Sequence, residues 1–160
     1  MKVLLITTLP NMVVNVLQKQ TTLELTVVNC QEFIHTGQCK TDIFLQSISV
    51  LCPDIILTYR CPFIIPEYIY STASKGAYNL HPSLLPKYAG LNPWEDMMKS
   101  NDRYGGVTLH RLSMQIDCGE IIVQRKIRIH KGETFAEIRD RVDKLAAKTI
   151  EVFLNKKQME

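Results

Sequence analysis

Asn79 and His81, two residues apart in the stretch YNLHPSLLPKYAG (78–90), have the clearest chemical use in this sequence. On an extended strand, period-two alternation puts both side chains on one face, roughly 7 Å apart at the backbone and free to converge at their tips. The amide offers an NH2 donor and the imidazole a ring N–H, so together they could hold one developing oxyanion. Pro82 and Pro86 exclude the α region for His81 and Leu85, which stiffens the chain where a strand would leave a sheet. In an open α/β sheet that carboxyl end is where ligands bind. A third group is needed to balance or move protons. Asp117, in the glycine-bearing turn QIDCG (115–119), is the candidate: a carboxylate there could hold His81 charged and relay a proton through water.

The elements that must position these residues are set by periodicity. KVLLITT (2–8), LELTVVNC (23–30), PDIILTY (53–59) and GAYNL (76–80) read as strands. Between them NMVVNVLQKQ (11–20), TDIFLQSISVL (41–51) and PEYIYSTAS (66–74) read as helices, the first capped by Asn11 and the third with proline in its first turn. This alternation predicts an α/β fold: a three-layer open, mostly parallel sheet with flanking helices. LNPWEDMMKSN (91–101) predicts a helix begun at Asn92, and GGVTLHRLS (105–113) and GEIIVQRKIRI (119–129) two strands joined through the Asp117 turn. Thr134 and Glu137 form a capping box, followed at helical spacing by Ile138, Val142, Leu145, Thr149 and Val152 after Phe135 at the start. That stripe is expected to pack on the sheet.

Composition bounds the class. A chain of 160 residues, 46% hydrophobic and 22% charged, predicts one soluble domain able to bury a core without staples. The net charge of +3 is mild, with seven basic and seven acidic residues up to Ser100 and twelve and nine beyond it. Five cysteines, at 30, 39, 52, 61 and 118, are odd in number and form no C-x-x-C pair, the pattern of free thiols in a reducing compartment. The opening apolar run stops at Pro10, too short for a signal peptide, and nothing reaches the length of a membrane span; the expected location is the cytoplasm. The first strand-to-helix turn, ITTLPNMVV, has no glycine, which removes the dinucleotide fingerprint and the P-loop. H-E-x-x-H, zinc-spaced Cys and His, and G-x-S-x-G are absent too, so metal hydrolysis and serine-type acyl chemistry lose their signatures. RKIRIHK (125–131) alternates charge with isoleucine, as a half-exposed strand does; it could also hold phosphate. His35 and His130 read as surface residues, and Cys118 has no recognisable base beside it in sequence.

YNLHPSLLPKYAGLNP (78–93), followed by GGVTLHRLSMQIDCGEIIVQ (105–124), resembles the catalytic core of the folate-dependent formyltransferases. That family includes glycinamide ribonucleotide, methionyl-tRNA and sugar-nucleotide formyltransferases. The combination of N-x-H-P-S-L-L-P with G-V-T-x-H and I-D-x-G is specific, and the close resemblance runs from about Pro53 to Gln124. It implies a formyltransferase-like, Rossmann-like fold and transfer of a formyl group from 10-formyltetrahydrofolate to a primary amine, without a metal. Carried over by position, Asn79 and His81 would stabilise the oxygen of the tetrahedral intermediate, and Asp117 would assist proton transfer. Thr108 and His110 match positions that line the family site, although His110 taken alone is equally a packed strand histidine. Phe63, Ile64 and Ile65, in PFIIPE (62–67), match the loop that holds the pterin; an apolar core segment would look the same. Tyr88 and Trp94 are candidates to touch the acceptor or to form a wall.

The expected unit is a single catalytic domain, 1–160, shortened in its N-terminal half and without the C-terminal barrel that methionyl-tRNA formyltransferases carry. The missing glycine-rich loop argues against glycinamide ribonucleotide. Expected partners are folate and a small amine acceptor such as an amino sugar nucleotide, with tRNA not excluded, no membrane, and a homo-oligomer compatible. The alternatives are a methionyl-tRNA formyltransferase-like enzyme, a formyltetrahydrofolate hydrolase and a folate-binding homologue without catalysis.

Overall fold

The computed structural model describes residues 1–8, 12–31, 38–90, 93–100 and 102–160. The expected helix caps Asn11 and Asn92 and the expected surface residue His35 lie outside them. Six strands form one sheet in the order β2-β1-β3-β4-β5-β6: β1 (Lys2–Thr7), β2 (Glu24–Asn29), β3 (Ile55–Tyr59), β4 (Ala77–His81), β5 (Tyr104–Arg111) and β6 (Ile121–Arg128). The first four strands of this order run parallel, and β5 and β6 are added antiparallel. The central strands are nearly continuous apolar runs because helices cover both faces; the edge strand β6 alternates.

Among the described residues five helices flank the sheet: α1 (Met12–Leu17), α2 (Gln38–Ser49), α3 (Glu67–Tyr70), α4 (Pro93–Lys99) and α5 (Phe135–Met159). On one face Val3, Leu5, Ile55, Leu57, Tyr78, Leu80, Val107 and Leu109 pack against α1 and α5. On the other Leu4, Ile6, Ile56 and Ala77 pack against Leu45 and Ile48 of α2 and Ile69 of α3. Period-two alternation carries this second face along β4, so beyond Ala77 the side chains of Asn79 and His81 must lie there too. The apolar cluster under α2 and α3 reaches β4 only at Ala77, and those two side chains therefore emerge at the carboxyl end of the strand, past the helical cover.

The terminal helix begins as its sequence predicts. Thr134 accepts from the Glu137 backbone N–H, and the Glu137 carboxylate accepts from the Thr134 N–H at 2.8 Å. Its buried stripe is Ile138, Val142, Ala146, Thr149, Ile150, Phe153 and Leu154, while Phe135 and Val152 are 40% and 41% exposed. Ten positions after Val142, at 100° per residue, Val152 has turned about 80° away from the sheet, whereas Phe153 returns to it. Phe135 lies over Trp94 instead, edge to face at 5.7 Å. Cys30, Cys52, Cys61 and Cys118 are free thiols, and no described helix is long and apolar enough to cross a membrane.

This packing gives a contrast measurable by urea denaturation. Ile150→Ala, at a position 1% exposed, is expected to cost about 2–5 kcal/mol. Val152→Ala, on the solvent side of the same helix, is expected to stay within about 0.5 kcal/mol.

Candidate active site

Three adjacent strands place the polar groups side by side. Thr58 of β3 is in register with Asn79 of β4, and Asn79 with His110 of β5. The Thr58 hydroxyl donates to Asn79 Oδ1 at 2.8 Å, which orients the amide. Its NH2 therefore faces Asp117 Oδ1 at 3.3 Å and His110 Nε2 at 3.1 Å. His110 Nδ1 lies 2.9 Å from the Arg111 carbonyl. A carbonyl only accepts, so Nδ1 carries the proton and Nε2 is left to receive the amide hydrogen.

Asp117 reaches this strand face from the β5–β6 connection. Its backbone is left-handed, φ 53°, a conformation that aspartate tolerates better than most residues. Two residues on, a Cβ at Gly119 would lie 1.8 Å from the Arg111 carbonyl oxygen, so only glycine closes the turn. The carboxylate accepts from the Gly90 N–H at 2.8 Å and lies 3.5 Å from His81 Nδ1 and 3.4 Å from His110 Nε2. Its side chain is 6% exposed, and those of His81 and His110 are 5% and 2%.

The segment after β4 is folded onto β5. The Thr108 hydroxyl donates to the Ser83 carbonyl at 2.7 Å and accepts from the Leu85 N–H and the Gln124 amide, both at 3.0 Å. A Cβ at Gly106 would meet the Arg125 carbonyl at 2.1 Å and the Leu84 side chain at 2.8 Å. Glycine is therefore what lets the HPSLLP loop approach. The loop returns at Tyr88, whose carbonyl lies 2.8 Å from His81 Nε2.

That contact decides the chemistry of His81. With Nε2–H donated to a carbonyl, the neutral ring presents the lone pair of Nδ1 to Asp117. Burial pulls the His81 pKa below its ordinary 6.5, outweighing the opposing pull of Asp117 and of the Tyr88 carbonyl. For Asp117, burial pushes upward, but the hydrogen bond that His110 donates when its ring is protonated, the Gly90 N–H and the charge that both imidazoles carry in that state more than offset it, and the carboxyl stays below its ordinary value. The resting pair at neutral pH is a carboxylate beside a neutral imidazole. Such a pair can accept a proton. Two donors aimed at one oxygen arise only when His81 gains a proton at Nδ1, since its other N–H is engaged.

These groups open onto a cavity of about 380 Å3. Asn79, His81, His110 and Asp117 line it, and so do Phe63, Ile64 and Ile65. Ile64 is 62% exposed, Ile65 is buried, and Phe63 packs edge to face on Phe44 at 6.0 Å. Trp94 and Arg60 also line it.

A family model described as formyl transferase matches residues 2–153. The chain belongs to the formyl transferase family. The match extends well beyond the Pro53–Gln124 stretch in which sequence likeness alone is close. A methionyl-tRNA formyltransferase of Thermotoga neapolitana is 34% identical over 113 residues, covering 71% of this chain and 35% of that protein. A bifunctional polymyxin resistance protein of Wigglesworthia glossinidia brevipalpis is 38% identical over 91 residues, 57% of this chain and 14% of the relative. The chain thus spans about a third of the length of the methionyl-tRNA formyltransferase it matches. Phosphoribosylglycinamide formyltransferase from Bacillus halodurans superposes with a TM-score of 0.75 at 18% identity, over 92% of this chain and 90% of that one. The formyltransferase PseJ from Anoxybacillus kamchatkensis does so at 0.74 and 24% identity, over 97% of this chain and 75% of its own. Its crystals hold UDP-4,6-dideoxy-4-formamido-L-AltNAc and tetrahydrofolate. These likenesses show the Rossmann-like fold of the family's sheet.

Two candidate positions are placed otherwise than the family pattern implies. Thr108 is wholly buried and is not part of the cavity lining; its hydroxyl is used up in fixing the HPSLLP loop. Tyr88 touches the site through its backbone carbonyl, while its ring lines a second cavity of about 230 Å3 behind the loop. Thr58 and the Gly90 N–H, by contrast, hold Asn79 and Asp117 and were not among the sequence candidates. A signal for Thr58 existed: it is the one aliphatic hydroxyl in the run IILTY, and a buried hydroxyl needs a partner.

Histidine NMR titration checks the electrostatics. The His81 ring is expected to titrate below 6.5. Asp117→Asn removes the neighbouring negative charge that favours the imidazolium, so His81 is expected to titrate lower still. A rise in that variant would contradict the arrangement.

Proposed function

We propose that this chain transfers a formyl group from 10-formyltetrahydrofolate to the primary amine of a small acceptor. The observation that carries the reading is the convergence of Asn79, His81 and Asp117, far apart in sequence, on one face of a cavity that also has an apolar wall. About 380 Å3 lies within the range of small-molecule sites. The flat face of a pterin suits the Phe63–Ile65 wall, with the N10-formyl group of the same folate turned toward Asn79.

The steps assigned to the protein are few. As the amine nitrogen attacks the formyl carbon, the carbonyl electrons move to oxygen, and the Asn79 NH2 donates to that oxyanion. The new negative charge offsets the burial penalty on the His81 imidazolium, so Nδ1 takes up a proton from solvent, returned when the intermediate collapses, and its N–H becomes the second donor. Asp117 takes the proton that the ammonium must lose and passes it, through water, to the departing folate nitrogen. His110 and Thr58 hold the amide in place. Side-by-side binding of the two reactants supplies a large part of the acceleration.

An amino sugar nucleotide is the acceptor class we favour; the sugar nucleotide in the PseJ crystals, at the same fold, supports it. Methionyl-tRNA is the second reading, supported by the methionyl-tRNA formyltransferase relatives. Incubation with 10-formyltetrahydrofolate and a panel of amino sugar nucleotides, amino-acid esters and methionyl-tRNA distinguishes them by which product carries the formyl group. Formate release without an acceptor would make the protein a hydrolase. Asp117→Asn is expected to lower kcat by about a hundredfold or more while a folate analogue still binds. Undiminished turnover in that variant would refute the role given to Asp117.

A further inference from the structure

Tyr88 is the loop residue to which formyl transfer gives no task. Its backbone sits at φ 58°, a region where a bulky side chain is rare, so something outside the backbone must hold it there. The hydroxyl supplies the hold. It donates at 2.5 Å to Asp102 and lies 2.6 Å from the Ser100 hydroxyl. Asp102 is fixed in turn by Lys87, whose ammonium donates to the same oxygen at 2.9 Å, and Ser100 donates to the Met97 carbonyl at 2.7 Å. These bonds keep the Asp102 carboxyl below its ordinary range.

At its other end Tyr88 settles a competition. The Asp117 carboxylate, 3.5 Å from His81 Nδ1, favours the proton on that nitrogen; the Tyr88 carbonyl, 2.8 Å from Nε2, favours the opposite tautomer. The shorter contact wins only while the carbonyl stays in place. The Ser83 hydroxyl, bonded to the Lys87 carbonyl at 2.7 Å, closes the loop beneath it.

We propose that Tyr88 is a positioning residue: its ring, clamped by Asp102 and Ser100 on the far side of the loop, holds its carbonyl on His81 Nε2 and so keeps Nδ1 turned, unprotonated, toward Asp117. The structural part stands on these contacts; its effect on turnover rests on the proposed formyl transfer. Loosening the clamp lets the ring's proton move to Nδ1 and bond to Asp117 before the amine attacks, so the carboxylate is occupied and Nδ1 has no lone pair left to take up the proton that makes it the oxyanion donor.

The test uses the full chain with 15N-labelled histidine. In the wild type the His81 nitrogens are expected to show the Nε2–H tautomer. Tyr88→Phe and Asp102→Ala are expected to shift the population toward Nδ1–H, and Asp102→Asn, which keeps an acceptor for the hydroxyl, to restore it. Affinity for 5-formyltetrahydrofolate is expected to stay within about threefold, because the ring is outside the main cavity. kcat is expected to fall by up to about a hundredfold with KM little changed. An unmoved tautomer in both loosening variants overturns the proposal. So does a raised KM for either reactant with the tautomer intact, which would put the ring on the substrate. A tautomer shift in a protein that transfers no formyl group would leave the clamp standing and remove the functional reading instead.

Discussion

A carboxylate buried to 6% exposure is tolerated only if donors replace the water it has lost, and the donors around Asp117 come from three separate parts of the chain. Asn79 contributes a side-chain N–H from β4 and Gly90 a backbone N–H from the returning loop, while His81 and His110, from β4 and β5, face the carboxylate with ring nitrogens that donate once protonated. Remove that set and the charge either neutralises or leaves the site. Every other feature of the region serves to bring these groups within reach of one another. The left-handed turn at Asp117 and the absence of a side chain at Gly119 carry the carboxylate in; strand register carries the two histidines and the amide to meet it.

The sheet explains why the meeting place is where it is. Four parallel strands end at the same edge, and on β4 the apolar cluster under α2 and α3 reaches only Ala77. Adding β5 antiparallel puts His110 opposite Asn79; β5 leaves the sheet beside Ala77 and Tyr78, at the amino end of β4, and the β5–β6 connection folds back over the open face to bring Asp117 to His81. A parallel strand in the same place would have needed a crossover and ended at the carboxyl edge, with no connection returning across this face. Mixed topology is thus part of the site. The HPSLLP loop then seals one side, pinned by Thr108 and Gln124 on β5 and β6.

The two cavities on either side of this loop divide its labour. Polar groups converge at the larger, whereas at the smaller Tyr88 and Lys87 both donate to Asp102. One residue, Tyr88, has its carbonyl in the first setting and its hydroxyl in the second. Rigidity behind a site is what allows a neutral, desolvated histidine to keep one tautomer beside a negative charge.

Local chemistry made much of this readable from the residues alone. The apolar runs of β1 and β3, the capping box of α5 and the proline-stiffened exit from β4 are short-range signals, and so is the shared face of Asn79 and His81, because each depends on neighbours a few positions away. The Asp117 turn was legible as a turn. What tertiary structure decided was which groups meet across distance: Thr58 beside Asn79, 21 residues apart, and Gly90 beside Asp117, 27 apart. It also gave Thr108 to the loop rather than the cavity, turned Tyr88 so that its carbonyl and not its ring reaches His81, and rotated Val152 off the sheet. The physical reason is common to all of these. A residue type fixes what bonds are possible and a local pattern fixes which way a side chain points, but the partner is chosen by strand register and loop closure, which only the packed sheet determines.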